Sequence, residues 1–165
     1  MESYLARLTV ADIMQTNTVS LSPETGLFEA LGTCRQQGVD IALVMKAGTL
    51  AGTIGLQDIM RGLWSEEYSS KTSLTVADLM CAEFTAVRPC LKVNQLIETL
   101  VVNKEVLFNV NDNGMLISPY LTFEQRLRKA SSQHAEVLPV IEGSSLKGVV
   151  SRAALADLLL AKRAS

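Results

Sequence analysis

Histidine, paired cysteine and long apolar runs are what this sequence is short of, and each shortage removes a class of function. A single histidine in 165 residues, His134, and three cysteines, Cys34, Cys81 and Cys90, with no Cys-x-x-Cys spacing leave nothing from which to build a zinc site, a disulfide framework or a nucleophile with its base. No catalytic centre and no required cofactor are expected. The thiols are expected to be reduced and buried, with Cys81, behind Met80 at a helix end, the one placed at the surface. Hydrophobic residues make up 48% of the chain, yet no uninterrupted run approaches the roughly 18 residues that span a bilayer. The N-terminus also lacks a charged region followed by an apolar stretch and a cleavage site. A cytoplasmic protein without membrane contact is expected. A net charge of -2 with scattered Lys and Arg gives no basic stripe, so nucleic acid is not expected as a partner.

What the sequence does contain is a duplication. Thr9-Val10-Ala11-Asp12-Ile13-Met14 returns as Thr75-Val76-Ala77-Asp78-Leu79-Met80, identical at five of six positions and 66 residues on. In the same register Leu21-Ser22-Pro23 falls on Val87-Arg88-Pro89, and Leu31 on Ile97. The match then breaks and resumes at an offset of 96, Val39 to Val44 on Ala135 to Val140 and Leu50 to Ile54 on Leu146 to Val150. The chain therefore reads as repeat one over 1–64, a polar linker over 65–74, and repeat two over 75–165 carrying an insertion near 103–133.

Local signals give each repeat the same order of elements. Thr9 with Asp12, and Thr75 with Asp78, have the form of capping pairs opening short helices. Thr18-Val19-Ser20-Leu21 reads as a short strand. Ser22 then caps, with Pro23 at the first helical position, and Leu27, Ala30, Leu31 and Cys34 recur at helical spacing up to Gly38, placed for a left-handed cap. Ile41 to Met45, a turn at Lys46-Ala47-Gly48, and Leu50 to Ile54 form a hairpin buried on both faces. Gly55-Leu56-Gln57-Asp58 leads into a helix with Ile59, Met60, Leu63 and Trp64 on its buried side. In the insertion, Val106 to Val110 and Met115 to Ile117 read as a hairpin about Asn111-Asp112-Asn113-Gly114, and Thr122 with Gln125 opens a short helix. Phe108, Tyr120 and Phe123 are expected to pack down.

This order of elements, with Val-x-Asp-Ile/Leu-Met twice, Ser22-Pro23-Glu24, Leu138-Pro139-Val140-Ile141 and Gly148-Val149-Val150-Ser151, resembles the CBS domain, here as a tandem pair covering nearly the whole chain. The resemblance implies an α/β (α+β) fold of two β-α-β-β-α units about a pseudo-twofold axis, with clefts that hold adenosine compounds such as AMP, ADP, ATP or S-adenosylmethionine. It implies a regulatory role, commonly as a homodimer, toward a partner enzyme or transporter.

Carried over by position, the ribose-binding carboxylate falls on Asp58 and the preceding hydroxyl position on Gly55, where the family prefers Ser or Thr. In repeat two the hydroxyl is Ser151, followed by Arg152, while Ala154 stands in place of the carboxylate. The resemblance also places Thr18, Ala42, Thr53, His134 and Leu138 at ligand-contacting positions. Each has a plainer reading. Asp58 also suits the first turn of a helix, where the macrodipole stabilises it; Ser151 suits an N-cap, and Arg152 a solvated helix start. Gly48, Gly52 and Gly55 are not a phosphate loop, since no Lys-Ser/Thr follows. Two functions remain: a sensor binding an adenosine compound beside Asp58, and an interaction or dimerisation module with degenerate clefts that binds no nucleotide. The terminal Ala-Leu helix from Ala153, apolar nearly all round, is expected to serve a homodimer interface.

Overall fold

The computed structural model describes residues 2–68, 73–131 and 136–164. In it each copy of the duplicated phrase is bonded to the turn that belongs to the other copy. Val10 and Ala11 donate their N-H groups to the carbonyls of Leu91 and Pro89 at 2.8 and 3.0 Å, and Val76 and Ala77 donate to those of Thr25 and Pro23 at 2.9 and 2.8 Å. Two compact units result, one of residues 1–14, 87–137 and 150–165, the other of residues 15–86 and 138–149.

The second of these units holds a three-stranded sheet in the order β1 (Ser20–Leu21), β2 (Ile41–Lys46), β3 (Thr49–Gly55), with β1 parallel and β3 antiparallel to β2. A short helix α1 (Glu2–Leu5) belongs to the first unit; in the second, helix α2 (Leu27–Gln37) ends at Gly38, whose φ of 66° is the left-handed cap that the sequence signals. The two-residue turn joining β2 to β3 puts both Ala47 and Gly48 at positive φ, 50° and 77°. That geometry matches the twist of the flanking strands. Helix α3 (Leu56–Ser65) follows β3 without a break. Leu21, Leu27, Ala30, Cys34, Ala42, Val44, Ile54, Ile59 and Val76 form the core. Fully burying a side chain the size of Ile54 or Ile59 contributes about 1.5–3 kcal/mol. Burial, then the charge of Asp40, pushes the Cys34 thiol up, so it stays protonated and acts as a small apolar residue. Cys81 and Cys90 are both exposed; Cys81 fits the expectation and Cys90 departs from it.

Past α3 the chain makes one 3₁₀ turn (Glu66–Tyr68), in which Tyr68 stacks obliquely on Trp64 at 5.3 Å. The second phrase forms α4 (Val76–Leu79). Helix α5 (Val93–Leu100) is followed in the insertion by α6 (Lys104–Leu107) and α7 (Phe123–Lys129), and the chain ends with the hairpin β4 (Val137–Glu142) and β5 (Ser145–Ser151) and helix α8 (Arg152–Ala164).

Four local expectations are corrected. Met60 and Trp64, expected on the buried side of α3, are 55% and 70% exposed, and Ile59 is the fully buried hydrophobic residue there. Helix α2 begins at Leu27 behind Gly26, not at Pro23, because the carbonyls of Pro23 and Thr25 are held out to receive Ala77 and Val76 and a helix there would turn them along its own axis. Val106 and Leu107 lie in α6, whose first turn is capped by the Asn103 side chain accepting from Val106 N-H at 3.2 Å. The expected hairpin shrinks to the Val110–Leu116 bridge. Phe108, Tyr120 and Phe123 are exposed, since helices of four and seven residues with one turn between them supply no layer to cover three rings. The capping pair at Thr122 and Gln125 is present in both directions. The Leu-rich helix α8 buries Leu155 but leaves Leu160 67% exposed.

Candidate functional site

Strand β2 begins and strand β3 ends at the same edge of the sheet, where Ile41 pairs with Gly55 and Ala42 with Ile54. There the chain turns into α3, and Leu56 N-H donates to the Asp40 carbonyl at 2.9 Å. Thr18 enters from the same end, one residue ahead of the Val19 carbonyl that accepts from Leu43 N-H at 2.9 Å. The sheet thus gathers Thr18, Ala42, Thr53, Gly55 and Asp58 in one unit. Thr18, Thr53 and Gly55 are half-buried, whereas Ala42 and Leu138 are fully buried. The side chains of the last two are spent on packing, so a ligand there could meet only their backbone. His134 lies outside the described residues.

Asp58 is held from two sides. Its Oδ2 accepts from Gly55 N-H at 3.2 Å and its Oδ1 from Arg61 at 2.9 Å, with the carboxylate side chain 37% exposed. The same construction occurs at both phrases, with one difference. Asp12 Oδ2 accepts the Thr9 N-H at 2.7 Å and also the Thr9 hydroxyl at 2.8 Å, and Asp78 Oδ2 takes both donors from Thr75 at 2.8 and 3.0 Å. Here the threonine hydroxyl donates to the carboxylate; it does not receive a backbone amide as the sequence suggests. The Thr9 N-H, then its hydroxyl, hold the Asp12 carboxyl below the ordinary range. Gly55 offers no hydroxyl. A carboxylate has about four acceptor positions; the two donors on Asp58 are divided between its oxygens and leave room for two more, whereas at Asp12 and Asp78 both threonine donors fall on Oδ2.

With no hydroxyl at Gly55, Asp58 Oδ2 carries one donor where Asp12 Oδ2 carries two, at some cost to the helix cap. A Cβ at Gly55 would meet only Asp58 Oδ2 at 3.4 Å and the Asp40 carbonyl at 3.8 Å, so a serine fits, and the extended backbone (φ -97°, ψ 159°) suits it. Gly55→Ser is expected to stabilise the protein by about 0.5–1.5 kcal/mol, through a less flexible unfolded chain and a better cap. Urea unfolding of the two proteins checks it, and a lower midpoint for the serine variant would contradict it.

The corresponding groups of repeat two are engaged elsewhere. Ser151 Oγ accepts from Ala154 N-H at 3.1 Å, a plain N-cap, and Ala154 has no polar side chain. Arg152 Nε donates to the Leu100 carbonyl at 2.8 Å and its guanidinium faces Glu136 at 4.0 Å. The reason lies in the insertion. In repeat one the matching carbonyl, of Cys34, is taken by Val39 N-H at 3.0 Å just past the Gly38 cap. In repeat two the chain departs into the insertion at that point, and Arg152 satisfies the helix end instead. Sequence reasoning missed this role; the register placing Leu100 on Cys34 was the available clue.

Residues 10–65 match the family model of the CBS domain. A search of curated proteins by sequence finds no match. Among solved structures, the CBS domain pair of protein MJ0100, determined in complex with 5-methylthioadenosine and S-adenosyl-L-methionine, is similar at a TM-score of 0.63 and 15% identity, covering 93% of this chain and 97% of that one. CBSX2 from Arabidopsis thaliana, determined in complex with AMP, is similar at 0.64 and 18%, covering 94% and 98%. The CBS-domain protein ATU1752 from Agrobacterium tumefaciens is similar at 0.62 and 17%, covering 92% and 98%. The fold is that of an α+β CBS domain pair, with the family-model match falling on the first repeat. Among the described residues no helix is long and apolar enough to cross a membrane, and no three His, Cys, Asp or Glu side chains gather as a metal site.

Proposed function

We propose that this protein is a non-catalytic sensor that binds one adenosine compound per chain, AMP, ADP, ATP or S-adenosylmethionine, at the sheet end marked by Asp58, and acts on a partner enzyme or transporter in the cytoplasm. The observation that carries the reading is the state of Asp58, a carboxylate fixed by Gly55 N-H and Arg61 yet left with two acceptor positions. Two ribose hydroxyls would fill them. The adenosine complexes of MJ0100 and CBSX2 support the ligand class. The loss of a carboxylate at Ala154, together with the engagement of Ser151 and Arg152, supports one site per chain.

The same engagement in repeat two favours the alternative, a dimerisation module without a nucleotide. Exposed Phe28, Met60, Trp64, Tyr68 and Leu160 support a homodimer under either reading. Titration calorimetry with AMP and with S-adenosylmethionine, run alongside light scattering, tests both. One ligand per chain in a particle of twice the chain mass is expected. No heat with any adenosine compound at millimolar concentration would overturn the sensor in favour of the alternative, two ligands per chain would overturn the single site, and a monomer would remove the dimer.

A further inference from the structure

The insertion is closed at its neck. Val102 pairs with Ser131, and Asn103 N-H donates to the Ala130 carbonyl at 2.7 Å. Within it Asn111 Oδ1 accepts from the N-H groups of Asn113 and Met115 at 3.1 and 3.0 Å, which fixes the turn between α6 and α7. These elements line a partly open cavity of about 180 Å³.

The chemistry of the lining is one-sided. Val106, Leu116 and Leu121 are its aliphatic residues, and its polar ones, Asn109, Ser118, Arg126 and Lys129, include no carboxylate. Arg126 donates through Nη1 to the Leu121 carbonyl at 3.1 Å, while its Nε is buried with no partner. Among the described residues no Asp or Glu lies within ion-pairing distance of Arg126 or Lys129. Glu124, on the same helix, has its carboxyl kept below the ordinary range first by its own backbone N-H and the Thr122 hydroxyl and least by the charge of Arg126. A guanidinium with an unpaired buried donor is a standing cost that an incoming acceptor removes.

Size and composition narrow the occupant. At about 30 Å³ per water the cavity holds roughly six waters, room for a few carbons and an acid group but not for a nucleotide. Phosphate alone would waste the aliphatic lining. We propose that this cavity binds a compact organic carboxylate, its oxygens taken by Arg126 and Lys129, with Ser118 and Asn109 as further donors and its short apolar body against Val106, Leu116 and Leu121. The planar fork of arginine suits a carboxylate in particular.

The test is ¹⁵N NMR on the full chain, following the Arg126 Nε-H and Ser118 amide resonances during addition of butyrate, of neutral butyramide and of inorganic phosphate. Saturable shifts with butyrate and none with butyramide are expected. Arg126→Gln should weaken the butyrate affinity about tenfold or more. Because Arg126 also holds the Leu121 carbonyl, Lys129→Gln, which removes no bond of the fold, serves as the second variant and should weaken it roughly threefold. Equal response to butyramide, response to phosphate alone, no shift with butyrate, or unchanged affinity in Lys129→Gln would each overturn the assignment.

Discussion

Gly52→Ala is expected to lower folding stability by about 2–4 kcal/mol, more than any other single methyl group added at a glycine of the sheet. A Cβ on Gly52 would stand 2.5 Å from the Cys81 carbonyl oxygen and 3.1 Å from its carbon. Both are backbone atoms, so no side chain can swing aside. Room is made only by opening the paired bonds between Thr53 and Cys81, Thr53 N-H to the Cys81 carbonyl at 3.0 Å and Cys81 N-H to the Thr53 carbonyl at 2.8 Å. Those bonds tie the residue after the second phrase to the strand that ends at Gly55 and leads into the helix of Asp58. The stability loss corresponds to a melting midpoint lower by roughly 4–16 °C. Gly32→Ala is the matched control. It sits exposed in α2 with nothing within 4 Å of the added atom, and should stabilise by about 0.5–1 kcal/mol. The same substitution thus takes opposite signs at two positions, and calorimetric melting of both variants reads it. A Gly52→Ala protein as stable as the parent would show that Cys81 does not press on β3.

Much of this fold was legible because the sequence states it twice. The repeat register, the hairpin buried on both faces, the Gly38 cap and the start of α3 at Gly55 all rest on interactions within a few residues, where spacing and turn chemistry act directly. Asp58 is singled out by the resemblance to the CBS domain, and its place in the first turn of α3 was legible locally because the Gly55 N-H it accepts lies three residues away. The departures share a different origin. Pro23 carries a helix-start signal that is overridden by hydrogen bonds from Val76 and Ala77, more than fifty residues on. Arg152 reads as a solvated cation until its partner, the Leu100 carbonyl 52 residues earlier, is known. In the insertion, Val106 to Phe108 have strand-forming side chains, yet Asn103 caps a helical turn there. With no second copy to supply a register, that segment had only local propensity to speak for it.

Binding of an adenosine compound beside Asp58 carries the other large effect. Ligand at about 100 times its dissociation constant adds roughly 2.7 kcal/mol to the folded state, which for a chain of this size raises the melting midpoint by on the order of 5–11 °C. The contribution of Asp58 separates into two parts. As a cap it accepts the Gly55 N-H, and its removal costs about 1 kcal/mol with or without ligand. As a ribose acceptor it contributes only when ligand is present, so the ligand-induced rise, and not the midpoint itself, reports the site. Asp58→Asn keeps an acceptor for Gly55 N-H but loses the charge, and should retain the cap while weakening the ligand response.

The most direct measurement is the thermal midpoint of the parent protein and of Asp58→Ala, each with and without AMP or S-adenosylmethionine at millimolar concentration. A rise of several degrees is expected in the parent with at least one of the two compounds, and none in Asp58→Ala, which starts slightly lower but remains folded. An equal rise in both proteins would remove Asp58 from the site, and no rise in the parent would contradict a nucleotide-sensing role.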